Sequence, residues 1–264
     1  MKPSVFDAPG PLARRNARAI GALFILLCAG AAWFALRRFS HAGMLSAEVW
    51  AVLLNTDLQT LLAQGLTATF QVAMTAGALS LLAGIIIAAA QLLLENAAGR
   101  VVLRAWVEIF RCLPLLLLIY FVYFAAPVVG ASVSTFWSLV AGLVLYNSAV
   151  IAVIVSAGIQ ALPPGQAEAG AAIGLRRHEI FTAIQLPQAV RAMLPALISQ
   201  MVVLLKETSL GFIIGYTEFL RNARTAVEYL GNSYSLPVYT MMALVYIVIN
   251  CLLSRAATLA QKKA

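Results

Sequence analysis

The stretch CLPLLLLIYFVYFAAPVVGASVSTFWSLVAGLVLYNSAVIAVIVSAGIQALPPGQA, Cys112 to Ala167, runs 56 residues without one Asp, Glu, Lys or Arg. A membrane span needs about 20 mostly apolar residues, because the hydrocarbon core is about 30 Å thick and a helix rises about 1.5 Å per residue. The stretch therefore holds two spans. Pro127-Val128-Val129-Gly130 is a turn by composition and divides them.

Four more spans follow from the same rule. Ala19 to Leu36 is uncharged for 18 residues, and Leu58 to Leu94 for 37. The latter exceeds one span, so Leu58 to about Thr67 is expected to be an outer lead-in. A fifth span runs from near Ala192 to about Thr217, interrupted by Lys206 and Glu207. The last uncharged run is Tyr229 to Ser254, with Pro237 near the start of its helix. The expectation is an all-α membrane protein of about six spans.

Composition agrees. Of 264 residues, 62% are hydrophobic and 11% charged, against roughly 25% charged in soluble domains. So few charges cannot clothe a water-facing surface, which excludes a soluble enzyme, a disordered chain and a nucleic-acid binder. The net charge of +8 is read as a topology signal. With the N terminus inside, inner segments carry thirteen basic residues: Lys2, Arg14, Arg15, Arg18, Arg100, Arg104, Arg111, Arg176, Arg177, Arg191, Arg255, Lys262 and Lys263. Outer segments carry four: Arg37, Arg38, Arg221 and Arg224. The inside excess puts both termini in the cytoplasm. The first span resembles a signal peptide at Ala29-Gly30-Ala31, but 18 apolar residues followed by Arg37-Arg38 favour a retained anchor. Cys28, Cys112 and Cys251 lack metal-like spacing, and their odd count argues against a disulfide framework; they read as inert buried thiols.

The cytoplasmic stretch Ser156 to Arg191 reads as two short helices. One covers Gln166 to Ile173, after Pro163-Pro164-Gly165, with Gly174 as its stop. The other covers Arg177 to Gln185 and ends at Leu186-Pro187. Such a hairpin suits a partner whose groove receives an exposed helix; a merely solvated loop is the alternative.

These residues carry a resemblance. Glu168-Ala169-Gly170, three residues, Gly174, nine residues and Ile184-Gln185-Leu186-Pro187 resemble the EAA motif of ABC importer permeases, with Gly170 where Ala is usual. Trp106-Val107-Glu108-Ile109-Phe110-Arg111-Cys112-Leu113-Pro114-Leu115-Leu116 is similar to a block of the polar amino acid permeases. Tyr146-Asn147-Ser148-Ala149, Gly158-Ile159, Pro164-Gly165-Gln166, Leu186-Pro187-Gln188-Ala189 and Leu205-Lys206-Glu207-Thr208-Ser209-Leu210 resemble further blocks in order. The resemblance covers about Leu58 to Leu253. One departure is that Val153 and Ser156 replace the usual Glu and Arg after the fourth span.

The resemblance implies a MetI-like importer transmembrane domain with a cytoplasmic coupling helix. A tail, anchor and outer loop would occupy 1–57, the permease core 58–255 with its coupling loop at 156–191, and a cytoplasmic tail 256–264. It implies the transmembrane subunit of a binding-protein-dependent importer in a bacterial inner (cytoplasmic) membrane, carrying a polar amino acid, with glutamate or glutamine favoured. The implied partners are two copies of an ABC ATPase, a second permease (the same or homologous), an extracytoplasmic amino-acid-binding protein and the bilayer. No nucleic acid is implied. ATP and Mg would be bound by the ATPase, with no cofactor on this chain. In agreement, no Gly-x-x-x-x-Gly-Lys-Ser/Thr loop is present, and none of the four Lys residues precedes Ser or Thr.

Glu168, Ala169, Gly170, Gly174, Ile184, Leu186 and Pro187 are the implied ATPase-coupling residues. Glu168 would anchor the coupling helix on the ATPase, or stand as a solvated acid. Tyr146, Asn147, Gln200, Lys206, Glu207 and Thr208 are the substrate-pathway candidates, because polar groups in a span either line a path or bond a neighbouring helix. Lys206 and Glu207 point about 100° apart on a helix and need not pair. Glu108 and Arg111, three apart, are a local salt bridge or a gate or subunit contact. Catalytic and metal-ligating clusters are not expected, since His41 and His178 fall on opposite sides of the membrane and no Asp lies within a span. That argues against an intramembrane enzyme. A same-architecture permease for an opine or a sulfur amino acid, and a sensor or scaffold without transport, remain as alternatives.

Overall fold

A computed structural model describes residues 10–263; side chains are described for residue 10, residue 12 and residues 14–255. Lys2 and the side chains of Lys262 and Lys263, used above for orientation, lie outside that description. The helices are α1 (Pro11–His41), α2 (Ala47–Trp50), α3 (Thr56–Leu93), α4 (Ala97–Cys112), α5 (Leu115–Val128), α6 (Thr135–Gln160), α7 (Gly165–Ala172), α8 (Arg177–Glu179), α9 (Leu186–Glu207), α10 (Phe219–Leu230) and α11 (Ser235–Lys263). Tight 3-10 turns cover Ala51–Leu54, Thr208–Ile214 and Asn232–Tyr234, and a π turn covers Ile180–Gln185. Five helical stretches are long and apolar enough to span; α4 and α5, bent by 102° at Leu113-Pro114, reach that length only as a pair.

α3 runs unbroken for 38 residues, about 57 Å at 1.5 Å per residue. The expected lead-in is therefore the N-terminal third of the same helix. Asn55 starts it, its side-chain oxygen accepting from the Asp57 and Leu58 amides. The buried seam of α3 is Leu58, Leu62, Gly65, Thr69, Val72, Ala76, Ser80, Gly84 and Ala88. Most of these are small, because in lipid a helix gains by close backbone approach rather than by hiding apolar surface. At Gly84 the backbone meets α6 so closely that a Cβ would lie 2.6 Å from Ile151 Cγ2 and 3.0 Å from the Ser148 carbonyl oxygen.

The core forms three layers along α3. The layer nearest α7 joins Ala88, Val107, Ile151 and Phe181; the middle joins Val72, Ala76, Leu139 and Leu204; the layer nearest α10 joins Leu58, Leu62, Phe219 and Val238. α6 passes through the centre and is the most buried span. Among its described residues α1 buries none against the rest of the chain.

Several expectations need correction. The helix over Arg177–Gln185 does not end at Leu186-Pro187: the chain continues through both into α9. Pro187 lies at the start of α9, where the missing proline N–H falls next to the wide π turn that absorbs it. The fifth span thus begins well before Ala192. α1 extends beyond Ala19–Leu36 at both ends, and α11 continues to Lys263 as helix. The expected break near Pro127–Gly130 is present, with Pro127 in the last turn of α5 and Gly130 at φ +76°. Cys28, Cys112 and Cys251 are exposed, not buried: apolar surroundings in a membrane chain lie on its outside.

Candidate functional site

Two groups of the expected residues are gathered by the fold. The first lies at half-depth in the bundle. Asn147 stands twelve residues from the first residue of α6 and thirteen from its last, about 18 and 20 Å. It is fully buried. Its Nδ2 donates to Glu207 Oε2 and to the Leu143 carbonyl, both at 3.0 Å, and its Oδ1 accepts from Gln200 Nε2 at 2.6 Å. One α6 residue thus holds two α9 residues. α9 ends at Glu207, and the backbone tightens into the 3-10 turn. Thr208, buried, donates to the Leu205 carbonyl at 2.6 Å and so helps turn the chain. Non-helical backbone at membrane depth is tolerated only inside protein or beside water, and discontinuous helices at the bilayer midplane commonly frame transport sites.

Lys206 points elsewhere. Among the described residues no ion pair joins it to Glu207. It is exposed on the α9 surface and opens on a groove of about 530 Å³ with Ser209, Met242, Tyr246 and Asn250. Tyr246 is eleven residues from the start of α11 and nine from Arg255, again half-depth. Asn250 and Ser209 were missed by sequence reasoning; a lone Asn in the Tyr229–Ser254 run was the available signal. Tyr146 is half-buried against the middle layer. Gln200 and Asn147 bond each other, so the helix-bonding alternative for polar span residues is the observed geometry.

The second group forms an elbow at the end of the bundle where α6 runs into α7. α7 stops in a paired C-cap: the Leu175 amide donates to the Gly170 carbonyl and the Gly174 amide to Ala171, with Gly174 at φ +84°. Gly170 is buried against the π turn, where a Cβ would meet Ile180 Cγ1 at 3.0 Å and Ile184 Cδ1 at 3.1 Å. Glycine at this position is therefore a close-approach residue as well as a weak helix former. Leu186 and Ile184 are half-buried, and Pro187 is exposed. Glu168, Ala169, Ala171 and Ile173 face outward, Ile173 at 77% exposure. Gln188 Nε2 donates to the Ile184 carbonyl at 2.8 Å and to Gln166 Oε1 at 3.5 Å, tying α9 to α7.

Glu108 and Arg111 form the expected local pair at 3.1 Å, both well exposed. Among the described residues no group of His, Cys, Asp or Glu is arranged to hold a metal.

The chain is similar to several known proteins. A family pattern described as "Binding-protein-dependent transport system inner membrane component" matches residues 80–264. The chain is 37% identical to the glutamate transport system permease protein GluD of Corynebacterium glutamicum, over 83% of this chain and 81% of that protein. It is 36% identical to the probable glutamine ABC transporter permease protein GlnP of Bacillus subtilis, over 57% of this chain and 70% of that one. A crystal structure of an amino acid ABC transporter with histidines superposes with a TM-score of 0.73 at 27% identity, covering 80% of this chain and 98% of that one. An inward-facing MetNI methionine ABC transporter shares the fold at a TM-score of 0.64 and 20% identity, over 78% of this chain and 99% of that one.

Proposed function

Because the chain belongs to the family of binding-protein-dependent transport system inner membrane components, we propose that it is the permease subunit of an ATP-driven importer of glutamate or glutamine. The substrate class rests on the relatives named for those two amino acids. In this reading a separate ABC ATPase pair binds ATP and Mg, an extracytoplasmic binding protein delivers the amino acid, and a second permease completes the pathway. The chain is a transport subunit and performs no hydrolysis. Both termini are cytoplasmic, with the divisions 1–57, 58–255 and 256–264 given above.

The observation that carries the reading is the elbow. α7 presents Glu168, Ala171 and Ile173 outward while Gly170 seats it on the π turn at the foot of α9. An apolar helical face with one carboxylate suits a receiving groove on the ATPase. Closure of the ATPase pair would move α7 and, through the π turn, the foot of α9. Gln200 and Glu207 travel with α9 while Asn147 stays on α6. Relative motion of the two helices would then open or close the half-depth site, and loaded binding protein favouring one of these states would couple the two ends reciprocally. At the site, Glu207 would offer a carboxylate for an ammonium group, and Tyr146, Asn147, Gln200 and Thr208 neutral polar contacts once α6 and α9 part; Lys206, in the separate groove with Ser209 and Asn250, would offer an ammonium for a carboxylate there.

The test is ATP-dependent uptake of radiolabelled glutamate and glutamine into proteoliposomes holding this chain, its ATPase and its binding protein. Glu168→Ala is expected to abolish uptake without loss of the folded chain, since Glu168 is exposed. Intact transport in that variant would refute the coupling role.

A further inference from the structure

α4 has no role in the reading above, and its three faces are sharply different. At 100° per residue, Arg100, Arg104, Glu108 and Arg111 fall within an arc of about 80°. Gly99, Leu103, Val107 and Phe110 occupy a second arc of about 80°, packed on the bundle, with Val107 at 3% exposure. The remaining arc of about 140° is apolar and uncovered. On it Val101, Val102, Trp106 and Ile109 are 63%, 66%, 43% and 55% exposed. A spanning helix has no use for a four-charge face, and a water-borne helix has no use for this apolar one.

The placement of α4 fits both faces. α3 ends at Leu93, and Glu95 is the first charge after Asp57, so the membrane boundary lies at that turn. Asn96 caps α4 just beyond, accepting from the Ala98 amide. Gln91 Nε2 of α3 donates to the Leu103 carbonyl at 3.2 Å, holding the middle of α4 at the same level. At Leu113-Pro114 the chain turns by 102° into the apolar α5. Proline disfavours the helical conformation at the residue before it, and Leu113 is extended at ψ 136°. With α5 directed into the bilayer, α4 lies close to its plane. Trp106, its ring centroid 4.2 Å from that of Phe110 and tilted 49° to it, has the amphipathic ring favoured at the headgroup level. Arg111 is paired with Glu108, but among the described residues Arg100 and Arg104 have no ion-pair partner.

We propose that α4 is an interfacial helix that seats its Val102–Trp106–Ile109 face in the inner leaflet and binds anionic lipid headgroups through Arg100 and Arg104. In-plane helices of this kind bury an apolar face about 5–10 Å below the headgroups and add electrostatic attraction to anionic lipid. The leaflet assignment rests on the cytoplasmic orientation proposed above.

The test uses the full chain in lipid nanodiscs, with its three native Cys replaced by Ser and nitroxides placed singly at Val102→Cys, Ile109→Cys and Arg104→Cys. Labels at 102 and 109 are expected to be reached by oxygen and shielded from a water-soluble nickel chelate, and the label at 104 the reverse. Spin-labelled phosphatidylglycerol should be preferred over phosphatidylcholine, with the preference falling about fivefold per arginine in Arg100→Gln and Arg104→Gln. It should survive in Arg100→Lys/Arg104→Lys and weaken in 1 M salt. Labels at 102 and 109 shielded from both reagents would mark a protein-covered face, and water access at all three would mark a cytoplasmic helix. Either result overturns the proposal, as does an unchanged lipid preference in the double Gln variant. In sealed right-side-out vesicles an impermeant thiol reagent should not reach Arg104→Cys. Reaction there with the depth pattern intact would overturn the orientation alone.

Discussion

Replacing Asn147 by Leu keeps the side chain near its original size and removes three hydrogen bonds. The bond to the Leu143 carbonyl lies within α6, where that oxygen keeps its helical partner, so its loss costs little. The other two join α6 to α9 through Glu207 and Gln200. Bonds between membrane helices average about 0.6 kcal/mol, with a maximum near 1.7, and a charged acceptor places the Glu207 bond towards the upper end. Glu207 is only half-buried, so water can partly replace its lost donor. The expected destabilisation is therefore about 2 kcal/mol rather than the larger cost of a sealed, orphaned carboxylate. The assay is reversible unfolding of the chain in mixed micelles at increasing SDS. Asn147→Leu, Glu207→Gln and the double variant form a cycle, with a coupling energy of about 1 kcal/mol expected from the shared bond. If the two substitutions add to within about 0.5 kcal/mol, the network does not hold α6 to α9 and the half-depth site loses its physical basis. Uptake should fall in the same order as the stabilities of the α6–α9 contact.

Three other outcomes are expected. Gly84→Ala forces a methyl to within 2.6 Å of Ile151 Cγ2 and 3.0 Å of a backbone oxygen; it should cost about 1–3 kcal/mol, read as a lowered unfolding temperature in detergent. Gly170→Ala gains about 1 kcal/mol of helix propensity but crowds Ile180 and Ile184, so it should be near neutral alone and stabilise α7 once Ile184→Val makes room, read as slower amide exchange in α7. Glu218, between the fifth and sixth spans, caps α10 with two 2.8 Å bonds to the Leu220 and Arg221 amides, and burial pushes its carboxyl up to about 7. A folded value above the ordinary one means the stabilising state is the protonated one, fully present below about pH 4.5 and lost as pH rises through about 7; the chain should lose up to about 3 kcal/mol over that window, and Glu218→Gln should flatten the slope.

The spans were legible because charge is so costly in lipid that its absence over 56 residues admits few readings. The elbow was legible because Gly174 and Pro187 sit at fixed offsets from Glu168. What escaped was decided by pairs of elements. Leu186-Pro187 read as a helix end, since nothing in the local sequence announces the π turn that takes up the proline. The seam of α3 is set by side-chain size, so no polar–apolar alternation marks it. The α4 face was present as Arg100, Arg104, Glu108 and Arg111, but the 102° turn that gives it meaning needed Pro114 to be weighed as a corner rather than as part of a motif. Asn147, Gln200 and Glu207 were each picked out singly; that one residue joins the other two is a fact of packing across 53 and 60 positions of sequence.

α9 is one continuous rod from the elbow through Pro195 to Glu207, and this gives it mechanical gain. Gln200 stands fourteen residues above the foot at Leu186, about 21 Å. A tilt of about 5° at the foot sweeps Gln200 sideways by about 2 Å over that length. The bond it makes to Asn147 is 2.6 Å long and has no strength left much beyond about 3.5 Å. The contact therefore behaves as a latch with a threshold. Below a few degrees the rod would be held and the half-depth site keep its shape; above that it would release as a unit, so that, in the coupling reading proposed above, a small rocking of the elbow would become an all-or-none event at the middle of the membrane.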